Sequence, residues 1–277
     1  MICRPRSAGG LQVLDLITWN KAAIGKLLWA LAMKKEKLWV LWVHTFYIKG
    51  QDLSTMPVPK QPCWIVRKFF EARKWMQNQV DLVQSLQPMM KDGTYSIKTA
   101  YGMLQPQFSR AAWRNLVLVK GALPRHQFIL WIALHQRLAT VDRLTKWVIQ
   151  VQKDCVLCNS SLEETFGHLF FECHYSRYVW CSLLRWMNIQ RQPGDWNTET
   201  GWMQNQLRNS RPRAGILGFM FAAAVYNVWI EMNNRRFKQK AISTTKMLRE
   251  IALQVHIAGQ QKQKWLSHLS RLQGVPT

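Results

Sequence analysis

The sequence predicts a mainly α-helical protein with little β structure, and three observations lead there. Apolar residues recur at helical spacing, as at Ile24, Leu27, Leu28 and Leu31, with little strand-like alternation. Residues that start helices, such as Ser96, Pro124 and Thr140, stand just before apolar runs. Third, Cys155, Cys158, His168 and Cys173 form a C-x2-C-x9-H-x4-C array, the ligand spacing of one tetrahedral zinc ion. Three thiolates and an imidazole fill four coordination positions and leave none for water or substrate. The array therefore predicts a small Cys3His module holding a single structural Zn2+. Such a site contributes roughly 10–16 kcal/mol of apparent binding free energy in zinc-finger peptides, enough to organise a small module. The competing reading is four half-buried side chains that are merely close.

The elements follow in order. Trp19–Met33 reads as an amphipathic helix, and Lys34-Lys35-Glu36-Lys37 separates it from a second apolar segment, Leu38–Ile48. Pro57, Pro59 and Pro62 mark a connector. Helical period resumes over Trp64–Leu86, with Ile65, Phe69, Trp75, Met76 and Val80 on one side. Asp92-Gly93 signals a tight turn, Thr94–Ile97 a short extended piece, and Ser96 caps a helix through Leu104. Pro124 opens a helix carrying Phe128, Ile129, Trp131, Ile132 and Leu134, and Thr140 caps another over Val141–Val148.

In the cysteine segment, Ser161 and Glu164 have capping-box spacing for a short helix bearing His168. His168 and Cys173 lie five residues apart, about 140° around an α-helix, so Cys173 is expected just past that helix's end. A further helix covers about Ser176–Met187, Gln190–Asn197 is a polar loop, and Ala214–Phe237 and Thr244–Leu272 close the chain as helices. Ala214–Ile230 is almost wholly apolar but short for a membrane span, and Tyr226 and Asn227 interrupt it; a buried core helix is the expectation.

Composition narrows the function. The 277 residues are 48% apolar, contain 15 tryptophans, and carry 38 Lys and Arg against 15 Asp and Glu, a formal charge of +23. Basic residues run from Arg4 to Arg271, interleaved with aromatics, so phosphate-backbone binding is the leading explanation, ahead of an acidic membrane surface or a protein partner. The candidates for phosphate contact are Arg67, Lys68, Arg73, Lys74, Lys120, Arg125, Arg137, Arg143, Lys146, Arg235 and Arg236. Trp75 beside Lys74 and Trp265 beside Lys264 are placed to stack bases if exposed, although helix-facing tryptophans ordinarily pack. Cys3, Cys63 and Cys181 have no spacing partner, and the N-terminus MICRPRSAGG has no apolar signal region. A reducing compartment, nuclear or cytoplasmic, is expected, without secretion.

These residues together resemble a known family. Gly93-Thr94-Tyr95-Ser96-Ile97-Lys98-Thr99-Ala100-Tyr101, Trp113, Phe128-Ile129-Leu130-Trp131, Arg137-Leu138-Ala139-Thr140, Asp142-Arg143-Leu144, the zinc array with His168-Leu169-Phe170-Phe171-Glu172-Cys173, and Val179-Trp180 resemble the zinc-binding domain of plant non-LTR (LINE-type) retrotransposon reverse transcriptases. Upstream, Gly9-Gly10-Leu11, Asp15-Leu16 and Trp19-Asn20-Lys21-Ala22 resemble the stretch after that family's polymerase palm. Downstream, Trp229-Ile230-Glu231, Asn233, Arg235 and Phe237 resemble its aromatic-acidic-arginine helix, with Met232 where the family usually has Arg.

The expected organisation is a post-palm remnant over 1–56, a helical connector over 57–90, the zinc-binding domain over 91–190 and a C-terminal helical region over 191–277. Polymerase chemistry needs clustered carboxylates to hold two metal ions. Seven Asp and eight Glu supply no adjacent aspartate pair beside an aromatic, and Glu163-Glu164 is the only adjacent acidic pair. The expectation is a non-catalytic binder of RNA or DNA, tolerant of sequence, with no small-molecule substrate and no membrane partner. The alternatives are a zinc-stabilised protein-interaction scaffold and a decayed retrotransposon reading frame.

Overall fold

The computed structural model describes residues 2–77, 81–119, 121–209, 211–272 and 274. Val80 and Lys120, both singled out from the sequence, lie outside them. The chain divides into two compact units, Met1–Ser109 and Arg110–Thr277. Both are helical, and the paired strands are two short ones.

In the first unit, α1 (Leu16–Ala32) starts at Asp15. That side chain accepts from Ile17 N at 3.2 Å and from the Thr18 hydroxyl at 2.6 Å, supplying acceptors that the open first turn lacks. The Thr18 bond is the main reason the Asp15 carboxyl sits below its ordinary range. α2 (Leu38–Val43) runs on into a π-turn, His44–Ile48. The predicted helix over 64–86 is instead two, α3 (Trp64–Met76) and α4 (Leu82–Leu86), because Asp81 caps a new start by accepting from Val83 N.

Strands β1 (Met90–Lys91) and β2 (Thr94–Tyr95) form a hairpin whose two loop residues, Asp92 and Gly93, both have positive φ, as the sequence pair predicts. Ser96 accepts from Thr99 N and caps α5 (Ile97–Leu104). α1 packs on α3 and α5 around Leu28, Leu31, Val66, Phe69 and Ala100. The approach is closest at Gly25, where a Cβ would run into the Met76 side chain and the Tyr95 hydroxyl.

The second unit holds α6 (Arg114–Val117), α7 (Pro124–Leu134), α8 (Val141–Lys146), α9 (His174–Trp186), α10 (Trp196–Gln206), α11 (Pro212–Lys238), α12 (Thr244–Gln260) and α13 (Gln263–Leu269). α11 is long and apolar enough to cross a membrane, yet it runs through this unit's core. Every residue from Ile216 to Val225 is buried, with α7, α9, α12 and α13 packed around it. That environment is the expected one for an apolar helix of a globular domain.

Two elements differ from expectation. The closing helix breaks at Lys262, whose extended backbone separates α12 from α13. α10 was not foreseen, although Asp195, accepting from Thr198 N at 2.9 Å, is a cap of the ordinary kind. Its buried Glu199 is satisfied by Trp180 Nε1, Gly194 N and the Arg191 guanidinium. These three donors fasten α10 to α9 and to the loop between them.

Candidate metal centre

The four candidate ligands come from two local structures. Residues 153–164 fold back on themselves: Cys155 N donates to Leu162 O, Glu164 N donates to Lys153 O, and Asp154 bridges Glu163 antiparallel. The tight turn inside this hairpin carries Cys155 and Cys158. The second pair sits on a π-turn, His168–Glu172. Thr165 starts this segment by accepting from His168 N, so the capping box expected from Ser161 and Glu164 does not form.

Cys173 N donates to His168 O at 2.6 Å, an i→i+5 closure, and Cys173 then leaves in extended backbone to cap α9. In an α-helix the five-residue spacing would splay His168 and Cys173. The wider turn returns them to one side, and Cys173 lies just past the helical residues as expected.

The cluster is tight, with all four candidate ligand atoms within 4.8 Å of one another. Cys155 Sγ lies 3.8 Å from Cys173 Sγ, and Cys158 Sγ lies 3.4 Å from His168 Nε2. A tetrahedron with Zn–S bonds near 2.3 Å has S···S edges of about 3.8 Å and slightly shorter S···N edges. The donor set and its spacing therefore fit zinc. Cys155 and Cys173 are buried; their mutual hydrogen bond, with burial, raises the Cys155 thiol, and the same bond lowers that of Cys173 against the upward push of burial. The Ser160 hydroxyl, 2.8 Å from Cys158 Sγ, adds a polar neighbour outside the quartet. His174, adjacent to Cys173, points into solvent and is no part of the cluster.

The C-terminal end of α11 supports the hairpin. Arg235 donates through Nη1 to the carbonyls of Val156 and Leu157, inside the cysteine turn, while its Nε pairs with Glu231 at 2.7 Å. Arg236 donates to Gln152 O and Asp154 O and pairs with Glu164 at 2.8 Å; its side chain is only 7% exposed and Glu164 is buried. Arg235 and Arg236, expected among the phosphate contacts, are thus committed to the chain's own acceptors. The Glu231–Arg235 pair near the end of α11 serves the same hairpin. The sequence carried a signal for it, an i,i+4 acid–arginine spacing at the end of an apolar helix, but not the address of the carbonyls 78 and 79 residues away.

Residues 95–180 match the family described as zinc-binding in reverse transcriptase. The match spans the whole quartet and both of its supporting turns. No curated protein and no solved structure matches the chain.

The remaining described basic candidates are divided between the two units. In the first unit Arg67 and Lys74 are exposed, Lys68 pairs with Glu71, and Arg73 donates to Leu53 O and Met56 O, fixing the loop before α3. In the second, Arg125, Arg137 and Lys146 are exposed; Arg143 donates to Gln136 O and lies over the Trp147 ring. Of the two tryptophans considered for base stacking, Trp265 is buried against Phe219 and Trp75 is half-buried against the first unit's core. Trp64 and Trp147 are the more exposed rings.

Proposed function

We propose that this chain is a non-catalytic nucleic-acid-binding protein in which one structural zinc holds the cysteine hairpin, similar to the C-terminal portion of a LINE-type reverse transcriptase. The observation that carries the binding role is the charge. A net +23 is spread over a folded protein whose ion pairs involve only five acidic residues among those described. Such a surface attracts phosphate backbones without reading sequence. Exposed side chains including Arg67, Lys74, Arg125, Arg137 and Lys146 supply the contacts. The metal's part is to hold structure: with four protein ligands it has no position left for a reacting group, and the chain's residues around it bind carbonyls and pair charges.

Two measurements test this reading. Metal analysis of the purified chain should give one zinc per molecule, falling sharply in Cys158→Ser; a content well below one, unaltered by that change, overturns the zinc assignment. Affinity for single-stranded RNA should fall linearly in log–log form as salt rises, and a flat slope overturns phosphate binding. Retention on heparin without binding to RNA or DNA at physiological salt would point instead to a protein-docking scaffold.

A further inference from the structure

Away from the metal centre, the second unit holds a groove of about 600 Å³ between the loop after α9, α10 and the first turn of α11. Its size suits a small ligand or part of a chain. Three arginines line it, Arg191, Arg211 and Arg213, and none of its described lining residues is acidic. Each arginine is placed differently. Arg191 is fixed from behind by buried Glu199 and stacks over Trp202 at 4.3 Å. Arg213 is anchored by donation to Met187 O at 2.8 Å. Arg211 is exposed and stands immediately before α11, a 27-residue helix that begins without a side-chain cap. The uncapped amides of that first turn add to the positive potential of the wall they form.

The rest of the polar lining is carboxamide: Gln190, Asn205, Gln206 and Asn209. An acidic peptide's carboxylates only accept, so its side chains would use the arginines and half of each amide, leaving the other half to backbone N–H groups. A nucleotide offers phosphate acceptors for the arginines and a base edge with both donors and acceptors for the amides. We propose that this groove binds one or two nucleotides of a single nucleic-acid strand, Arg211 holding phosphate with the remaining N–H groups of Arg191 and Arg213, and the carboxamides holding a base edge. The proposal rests on the nucleic-acid reading above and gives that reading a defined site, one that shares no residue with the basic candidates evident in the sequence.

The test is fluorescence anisotropy of a short labelled single-stranded RNA with the full zinc-loaded chain, across a salt series. Arg211→Gln and Asn205→Glu alter exposed groove side chains, and Lys246→Gln removes one exposed charge from α12 as a control. Arg211→Gln should weaken binding about 5- to 10-fold and reduce the salt slope by about 0.7, one single-strand phosphate contact. Asn205→Glu, which places a carboxylate in the groove, should weaken it at least as much, while Lys246→Gln stays within about twofold. If wild-type chain binds and both groove variants track Lys246→Gln, the groove proposal is overturned and the broader reading stands. If wild-type chain binds no RNA even at low salt, the broader reading fails and the groove with it.

Discussion

Arg236 and Glu164 meet in the interior at 2.8 Å, with neither side chain more than 7% exposed. The pair's net worth is small, because desolvating both charges offsets most of their attraction, but removing one partner strands the other. Arg236→Met should therefore destabilise the second unit by about 3–5 kcal/mol and weaken zinc retention, since Gln152 O and Asp154 O lose their donor as well. The double change Arg236→Met, Glu164→Leu should recover much of that loss in chemical denaturation; equal losses in single and double variants would show that the carbonyl contacts, and not the stranded charge, dominate.

A second residue to watch is His126, wholly buried, with no partner at either ring nitrogen and set between the Tyr226 and Phe219 rings. Burial, helped by neighbouring Arg125, lowers its pKa from 6.5 to about 4. The folded state thus holds the neutral ring while the unfolded chain protonates first. Stability from this group is complete above pH 6.5, declines as pH falls toward 4, and is lower by about 3 kcal/mol once both states are charged. His126→Phe should remove that component of the pH dependence, read as a shallower loss of denaturation midpoint between pH 6.5 and 4 than in wild type.

Among the elements, several local signals were read correctly, although Thr140 stands at the start of α8 without a side-chain cap and the Ser161–Glu164 box does not form. The hairpin at Asp92-Gly93, the Ser96 cap and the Pro124 start are all present as expected. They were read badly where an element's extent depends on its neighbours, as in the split of 64–86 into α3 and α4. The π-turn at His168–Glu172 belongs to this second kind: sequence spacing required that His168 and Cys173 not share an ordinary helix, and left open how the chain would turn. At the α1–α3 approach, Gly25 carries a packing constraint of the same origin. Gly25→Val would press on Met76 and Tyr95, both buried, and should cost about 1–3 kcal/mol, seen as a lower unfolding midpoint for the first unit.

At the level of the whole molecule, both units are helical, and among the described residues the candidate metal ligands all lie in the second. Removing zinc with a chelator should cost hydrogen-exchange protection in residues 153–180, where the hairpin, the π-turn and the start of α9 depend on the quartet. Amides of α1–α5, which contribute no ligand, should keep theirs. Uniform loss along the chain would mean that the metal governs more than its own unit.

The sequence by itself determined the helical class, the four candidate ligands and the strongly basic character, because each is written in local spacing or in a sum over residues. Tertiary structure alone decided what each charge is for. Arg235 and Arg236 look like any basic pair at a helix end until the fold sets carbonyls of residues 152–157 against them, and they become braces of the metal hairpin. Arg191, Arg211 and Arg213 were not among the phosphate-contact candidates in sequence, yet the fold sets them around one concave surface. The physical reason is the same in both directions: a guanidinium's role follows from the acceptors within its reach, and those come from parts of the chain that only folding brings near.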